Sequence, residues 1–278
     1  MKILITGAHG QLGRALLQCL EPDPSVTLLA VDKDELDITV LTQVTSMLRD
    51  FKPDVVINCA AATAVDDCEK NHTNAFQINA IGPLNLAVIC NGIAARLVHI
   101  STDYVFSGQP RKTPWVEDDI TEPQNIYGTS KLLGEQYVKA YCPQHFIVRT
   151  AWLYGDGHNF VNTMLDLSKT HPEINVVGDQ FGNPTYTKDL AQVIINLIQT
   201  DHYGTYHATN EGICSWYDFA CKIFEIADVN VKVNKITTAQ FPRPAKRPIY
   251  SALENNRLND EGLNSFRNWE VALADYLS

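Results

Sequence analysis

A tyrosine and a lysine four positions apart, Tyr127 and Lys131, form the pair in this chain best equipped for proton chemistry. An ammonium beside a phenol favours the phenolate and draws its pKa down from about 10 toward working pH. On a helix the two share a face, with Cβ atoms about 5–6 Å apart. A hydroxyl pair, Ser101-Thr102, ends the apolar run Leu97-Val98-His99-Ile100. Upstream, the turn Gly7-Ala8-His9-Gly10-Gln11-Leu12-Gly13 follows the apolar run Ile3-Leu4-Ile5. A strand feeding a glycine turn and a helix seats a dinucleotide pyrophosphate, because free backbone N–H groups and the helix dipole favour an anion there. Phenol, ammonium and hydroxyl then supply what a carbonyl reduction needs: a proton donor, a charge that tunes it, and a positioning hydrogen bond. Each group alone is commonplace. Their order points to a nicotinamide-dependent oxidoreductase.

Within the glycine turn, Gly7, Gly10, Gln11, Leu12 and Gly13 are the expected pyrophosphate contacts. Asp32 closes the next predicted strand, where a carboxylate accepts from ribose hydroxyls and disfavours a 2′-phosphate. Lys33 beside it is placed to pair with such a phosphate, so NADH and NADPH both remain open as cofactor. The segment Asn58-Cys59-Ala60-Ala61-Ala62 leaves the third strand with small side chains. Ala60, Ala61 and Ala62 let the backbone lie against the pyrophosphate and the nicotinamide ribose, and Asn79 is counted with them. Lys131 is also expected to hold that ribose. Thr102, at the carboxyl end of its strand, would hydrogen-bond the carbonyl being reduced. Its competing role is a cap or turn made by Ser-Thr-Asp.

The elements that must position these groups alternate through the first half. The pattern predicts strands over 2–6, 26–31, 54–58, 97–101 and 146–150, and helices over 11–20, about 40–51, 74–91 and 130–141. Apolar strands separated by helices mean a parallel sheet covered on both faces, a Rossmann-like doubly wound α/β fold. After Thr150 the alternation loosens into a smaller mixed α/β lobe. Residues 1–150 are expected to form the dinucleotide-binding domain, with 175–200 returning to it. Residues 151–174 and 201–278, including a strand over 204–208, form the expected substrate lobe. The run Phe241-Pro242-Arg243-Pro244-Ala245-Lys246-Arg247-Pro248 is irregular, since each proline removes a backbone donor.

Composition narrows the setting. The 278 residues, 45% of them hydrophobic, suffice for a large core. A net charge of −10 argues against a nucleic-acid partner, which calls for a basic stripe. Seven cysteines without a C-x-x-C pair fit buried thiols in a reducing, cytoplasmic compartment. No signal peptide or membrane span is evident, and no His/Cys/Asp cluster has metal-ligand spacing.

With these residues assembled, the chain resembles the dTDP-4-dehydrorhamnose reductases, a family of extended short-chain dehydrogenases/reductases. The carrying segments are Gly7–Gly13, Leu36–Thr39, Ala64–Asp66, Ser101–Phe106, Tyr127–Lys131, Arg149–Trp152, Asp179–Thr185 and Arg247-Pro248, nearly the whole chain. Ser-Thr-Asp-Tyr-Val-Phe and Asp-Gln-x-Gly-x-Pro-Thr are the specific ones; the glycine turn and Tyr-x-x-x-Lys recur in sugar-nucleotide epimerases and dehydratases. The resemblance implies hydride transfer to C4 of a dTDP-4-keto-6-deoxy-L-hexose, with Tyr127 giving the proton. It implies Asp37 and Ile38 at the adenine end of the cofactor. It places Val65, Thr102, Asp103, Trp152 and Arg247 with the substrate, although Trp152 on its own reads as core. Ala15 stands where some members carry a glutamate that helps bind a bridging Mg²⁺. No essential Mg²⁺ is therefore expected, and the protein is expected as a monomer or homodimer. Another NDP-4-ketosugar reductase or epimerase, or a non-catalytic NADP-binding regulatory subunit, is the alternative. A dehydratase is disfavoured, because Thr102 is followed by Asp103 and Tyr104 rather than by an Asp-Glu pair.

Overall fold

The computed structural model describes residues 1–278. Strand β1 (Lys2–Thr6) is buried on both faces, with Ile3, Leu4 and Ile5 fully enclosed, as an apolar run in a covered parallel sheet must be. It feeds α1 (Gln11–Leu20), β2 (Thr27–Val31), α2 (Leu41–Phe51) and β3 (Val55–Asn58). Next come α3 (Val65–Lys70), α4 (His72–Phe76), α5 (Gly82–Gly92), β4 (Arg96–Thr102), α6 (Ile126–Tyr141) and β5 (His145–Thr150).

The rest of the chain runs through β6 (Leu153–Tyr154), α7 (Phe160–Ser168), β7 (Glu173–Val177), β8 (Phe181–Gly182) and β9 (Thr185–Tyr186). It continues as α8 (Thr187–Leu197), β10 (Gly204–His207), β11 (Cys214–Ser215), α9 (Trp216–Ile226) and β12 (Lys232–Ile236). The last helices are α10 (Asn256–Asp260) and α11 (Trp269–Leu277).

Six strands form one parallel sheet in the order β10-β5-β4-β3-β1-β2. On one face Leu12 and Leu16 of α1 meet Leu190 and Ile194 of α8; on the other, Val44, Leu86 and Val138 bring in α2, α5 and α6. Each fully buried aliphatic side chain contributes about 1.5–3 kcal/mol. The strand order reverses between β1 and β3, and a crevice opens outside the carboxyl ends there, where open α/β sheets take ligands.

Three elements depart from the sequence-based expectation. The helix predicted over 74–91 is interrupted by a π-helical turn, Gln77–Ile81, between α4 and α5. Pro83, at the start of α5, has no N–H to offer the carbonyl four residues back, and the ladder shifts register there. Helix α6 starts at Ile126 rather than Ser130, because Asn125 caps it by accepting from Gly128 N at 2.8 Å. Strand β10, expected in the lobe, pairs with β5 at the edge of the large sheet, its Tyr206 fully buried.

Conversely, β7 lies outside that sheet and pairs with β12. Its exposed Glu173 and Asn175 alternate with buried Ile174 and Val176, the pattern of a half-covered strand. Helix α8 packs on the large sheet through Leu190, Val193 and Ile194. A second core, around Val161, Ile174, Phe219, Ile223 and Leu273, holds α7, α9 and α11 to the small sheets. No helix is long and apolar enough to cross a membrane.

Candidate active site

A cleft of about 970 Å³ runs along the carboxyl ends of β1, β3 and β4. The glycine turn forms one end of it. Gly7 has a φ of 65°, and a Cβ there would come within 2.7 Å of the Ala60 backbone nitrogen. Only glycine lets the turn lie that close to the chain leaving β3. No side chain caps α1, and Gly10 to Gly13 line the cleft, so the amides of its first turn are left for an anion. The amide oxygen of Gln11 is buried without a hydrogen-bond partner. The open glycine turn and its free amides fit a dinucleotide pyrophosphate.

At the end of β2, Asp32 and Lys33 line the same cleft. The Asp32 carboxylate already accepts from His9 N at 3.1 Å and Lys33 N at 2.8 Å, which ties the glycine turn to β2. Asp37, Ile38 and Thr39 continue the wall. Hydrogen bonds from the Thr39 hydroxyl and amide, at 2.7 and 2.9 Å, hold the Asp37 carboxyl below its ordinary pKa.

The three proton-handling residues meet at the other end. Tyr127 stands in the first turn of α6 and Lys131 one turn on, facing Thr102 at the tip of β4, and all three line the cleft. Tyr104 packs edge-on against Tyr127 with ring centroids 5.5 Å apart. Burial pushes the Tyr127 phenol well above its ordinary range, and the nearby Thr102 hydroxyl opposes that. Lys131, expected to acidify Tyr127, is not among the groups that shift the phenol. The ammonium instead donates to Ile100 O at 2.5 Å, and burial draws Lys131 down to about 8 against the pull of Glu135 and Cys59. Of the two roles its sequence allows, Thr102 shows the turn in the structure. Its hydroxyl caps a short turn by accepting from Tyr104 N at 3.3 Å, and it donates to Asp103 Oδ1 at 2.9 Å. Asp103 is pushed up to about 6 by burial, against the influence of the Ser251 hydroxyl and the bond from Thr102, and its Oδ2 has no hydrogen-bond partner. Trp152 lines the cleft beside Thr150, whose hydroxyl is likewise unpartnered.

Four residues named from the sequence lie outside the cleft lining. Asn79, on the π-helical turn, is fully buried, and its amide bonds both backbone groups of Ala62, at 2.8 and 3.1 Å, and Ser130 Oγ at 3.0 Å. Both Ala62 groups are thereby spent on shaping the loop after β3. Val65 opens α3. Arg247 pairs with Asp66 at 3.0 Å, and Ala245 N donates to the same carboxylate, pinning the proline-rich loop to α3.

Thr150 and the Arg149–Glu135 pair beneath the site had no role assigned from the sequence. There Arg149 grips Glu135 with two bonds of 2.9 and 2.8 Å, and Ser101 Oγ donates to Glu135 at 2.6 Å. A charged residue near the end of β5, an otherwise buried strand, was the available signal. No group of three or more His, Cys, Asp or Glu side chains is arranged to hold a metal ion.

The family model described as RmlD substrate binding domain matches residues 1–278. A dTDP-4-dehydrorhamnose reductase of Clostridium acetobutylicum has a solved structure 52% identical in sequence. It superposes with a TM-score of 0.98, covering 100% of this chain and 98% of that one. The Bacillus anthracis enzyme of the same name, solved in complex with NADP, is 46% identical with a TM-score of 0.96 over 99% and 98% of the two chains. The dTDP-4-dehydrorhamnose reductase of Aggregatibacter actinomycetemcomitans is 41% identical over 98% of this chain and 97% of its own length. A shared α/β fold alone would leave the family open; full-length identity at this level, with the glycine turn, Thr102, Tyr127 and Lys131 around one cleft, does not. The chain belongs to the dTDP-4-dehydrorhamnose reductase (RmlD) family of extended short-chain dehydrogenases/reductases.

Proposed function

We propose that this protein reduces the C4 keto group of dTDP-4-dehydro-6-deoxy-L-mannose with NADPH or NADH, giving dTDP-L-rhamnose for polysaccharide synthesis. The observation that carries the reading is the meeting of Thr102, Tyr127 and Lys131 at the end of a cleft whose other end is the glycine turn. A reduced nicotinamide, when bound, supplies hydride. Tyr127 donates its phenolic proton to the oxygen that becomes the C4 hydroxyl, and solvent later restores it. Burial keeps that phenol protonated at neutral pH, the state a proton donor needs before turnover. Thr102 orients the same oxygen, while Lys131 holds the nicotinamide ribose and stabilises the phenolate as it forms. Gly7, Gly10, Gln11, Leu12 and Gly13 seat the pyrophosphate. Ala60 and Ala61 flank it, with Ala62 and Asn79 shaping the loop behind them. Asp37 and Ile38 contact the adenine end; Val65, Asp103, Trp152 and Arg247 form the sugar-nucleotide side. The test is incubation with dTDP-4-keto-L-rhamnose and NADPH. Loss of reduced nicotinamide with formation of dTDP-L-rhamnose by mass spectrometry is expected, and absence of both overturns the reading.

Lys131→Met is expected to lower kcat and to raise the Kd for NADPH about 10–100-fold, the worth of a hydrogen bond from a charged group. With burial holding Lys131 near 8, its charge is present below that pH and lost as pH rises through it. Wild-type turnover should therefore fall on the alkaline side with a midpoint near there, and the methionine variant should lack that limb. An unchanged cofactor Kd would leave Lys131 without a ribose contact.

Asp32 and Lys33 are proposed to set cofactor choice together. Since the Asp32 carboxylate also holds the glycine turn, Asp32→Asn is the cleaner change, keeping an acceptor oxygen and removing the charge. Its side chain is 33% exposed and screened, so a shift in the KM ratio toward NADPH of about 10-fold is expected. Comparing KM for both cofactors checks this; an unchanged ratio would remove Asp32 from the ribose.

A further inference from the structure

Trp152 has a backbone φ of 46°, in the left-handed region that a bulky side chain enters only when its surroundings hold it there. It lies two residues past the end of β5, where it lines the cleft on the side of Thr102 and Asp103. Its indole is stacked on Trp216, ring centroids 3.6 Å apart and planes within 10°. Gly182 lies against the indole, and a Cβ there would stand 2.6 Å from Trp152 Cε2 and 2.8 Å from its Nε1. The Trp152 carbonyl accepts from Thr185 N at 3.2 Å.

Trp216 does not line the cleft. It is the first residue of α9, whose start is fixed by reciprocal bonds between Ser215 and Asp218. The Phe160 ring packs against it with centroids 4.5 Å apart. Gly182 in β8 pairs with Cys214 in β11, and β11 runs directly into Trp216. Both walls of the slot that grips Trp152 thus come from one small unit of the lobe.

We infer that Trp216 is a positioning residue for the sugar pocket: its stack on Trp152, in the space left open by Gly182, sets the plane of the indole bounding the substrate side of the cleft. The inference rests on the proposal that this cleft takes a nucleotide ketosugar. Trp216 acts only through Trp152, and the glycine turn that seats the cofactor lies at the far end. Its loss should therefore be felt by the sugar and not by NADPH.

The test uses Trp216→Leu, Trp216→Phe and Gly182→Ala in the full-length protein. Affinity for dTDP-L-rhamnose is measured by calorimetry, alongside KM for the ketosugar, Kd for NADPH and the circular-dichroism couplet of the stacked indoles. Trp216→Leu should lose the couplet and weaken dTDP-L-rhamnose binding about 10-fold, an aromatic pair's contribution expressed as affinity. NADPH affinity should stay at the wild-type value. Trp216→Phe should lose the couplet yet recover most of the sugar affinity, because a ring again faces the indole. Gly182→Ala retains Trp216 but displaces Trp152, so it should weaken the sugar alone and decide the matter if the leucine variant fails to fold. Unchanged sugar affinity with the couplet lost, or an equal loss of NADPH affinity, overturns the inference. Wild type that binds dTDP-L-rhamnose but consumes no NADPH with the ketosugar overturns the proposed reaction and leaves this positioning role standing. Wild type that binds no dTDP-sugar overturns both.

Discussion

Tyr127→Phe is expected to lower kcat by about 10²–10⁴-fold, the usual contribution of a positioned general acid, while the Kd for NADPH stays near the wild-type value. The substitution removes one oxygen and keeps the ring, so the edge contact with Tyr104 at 5.5 Å and the first turn of α6 are retained. An equal fall in kcat and kcat/KM is the sign of an interaction made only in the transition state, and single-turnover measurements would show it at the hydride step. Near-normal kcat would mean that another group is the acid. Asp103 is the group to examine in that event, because burial pushes it up to about 6 and it lines the same cleft as Tyr127, bonded to Thr102.

The second large effect is expected on stability. Arg149 is 2% exposed, and its bidentate partner Glu135 is wholly buried. Burial raises the Glu135 carboxyl, but Arg149, with Lys139 and Ser101, outweighs it and holds the group below the ordinary carboxylate range. Arg149→Met strands that carboxylate and should cost about 3–5 kcal/mol in denaturant unfolding. The double variant with Glu135→Met should regain most of the loss, since an apolar pair of similar volume needs no counter-charge. A single-variant cost under about 1 kcal/mol would show that water reaches Glu135 and that the pair is not closed. Ser101 precedes Thr102 and donates to Glu135, so the double variant should still turn over more slowly than wild type despite its regained stability.

What sequence alone determined was whatever depends on near neighbours. The buried strands read as apolar runs because both faces of a parallel sheet are covered. The glycine turn read as a phosphate seat because strand, turn and helix start are contiguous. Tyr127 and Lys131 read as partners because four residues make a helical turn. Together these assigned the α/β class. Tertiary structure decided the rest, because the groups involved meet only after the chain has crossed the sheet or returned from the lobe. Strand β10 looks no different from a lobe strand until β5 offers it an edge. Asn79 looked like a ligand contact until a π-helical turn aimed it at Ala62. Lys131 read from spacing only as the partner of Tyr127, and packing ties its ammonium to the Ile100 carbonyl as well. Trp152, placed with the substrate by resemblance but core by its residues alone, is held at the wall of the cleft by Trp216 and Gly182, brought back by the lobe. Spacing sets which groups share a turn or a strand end; burial and packing between distant segments set where their atoms point and which proton each one keeps.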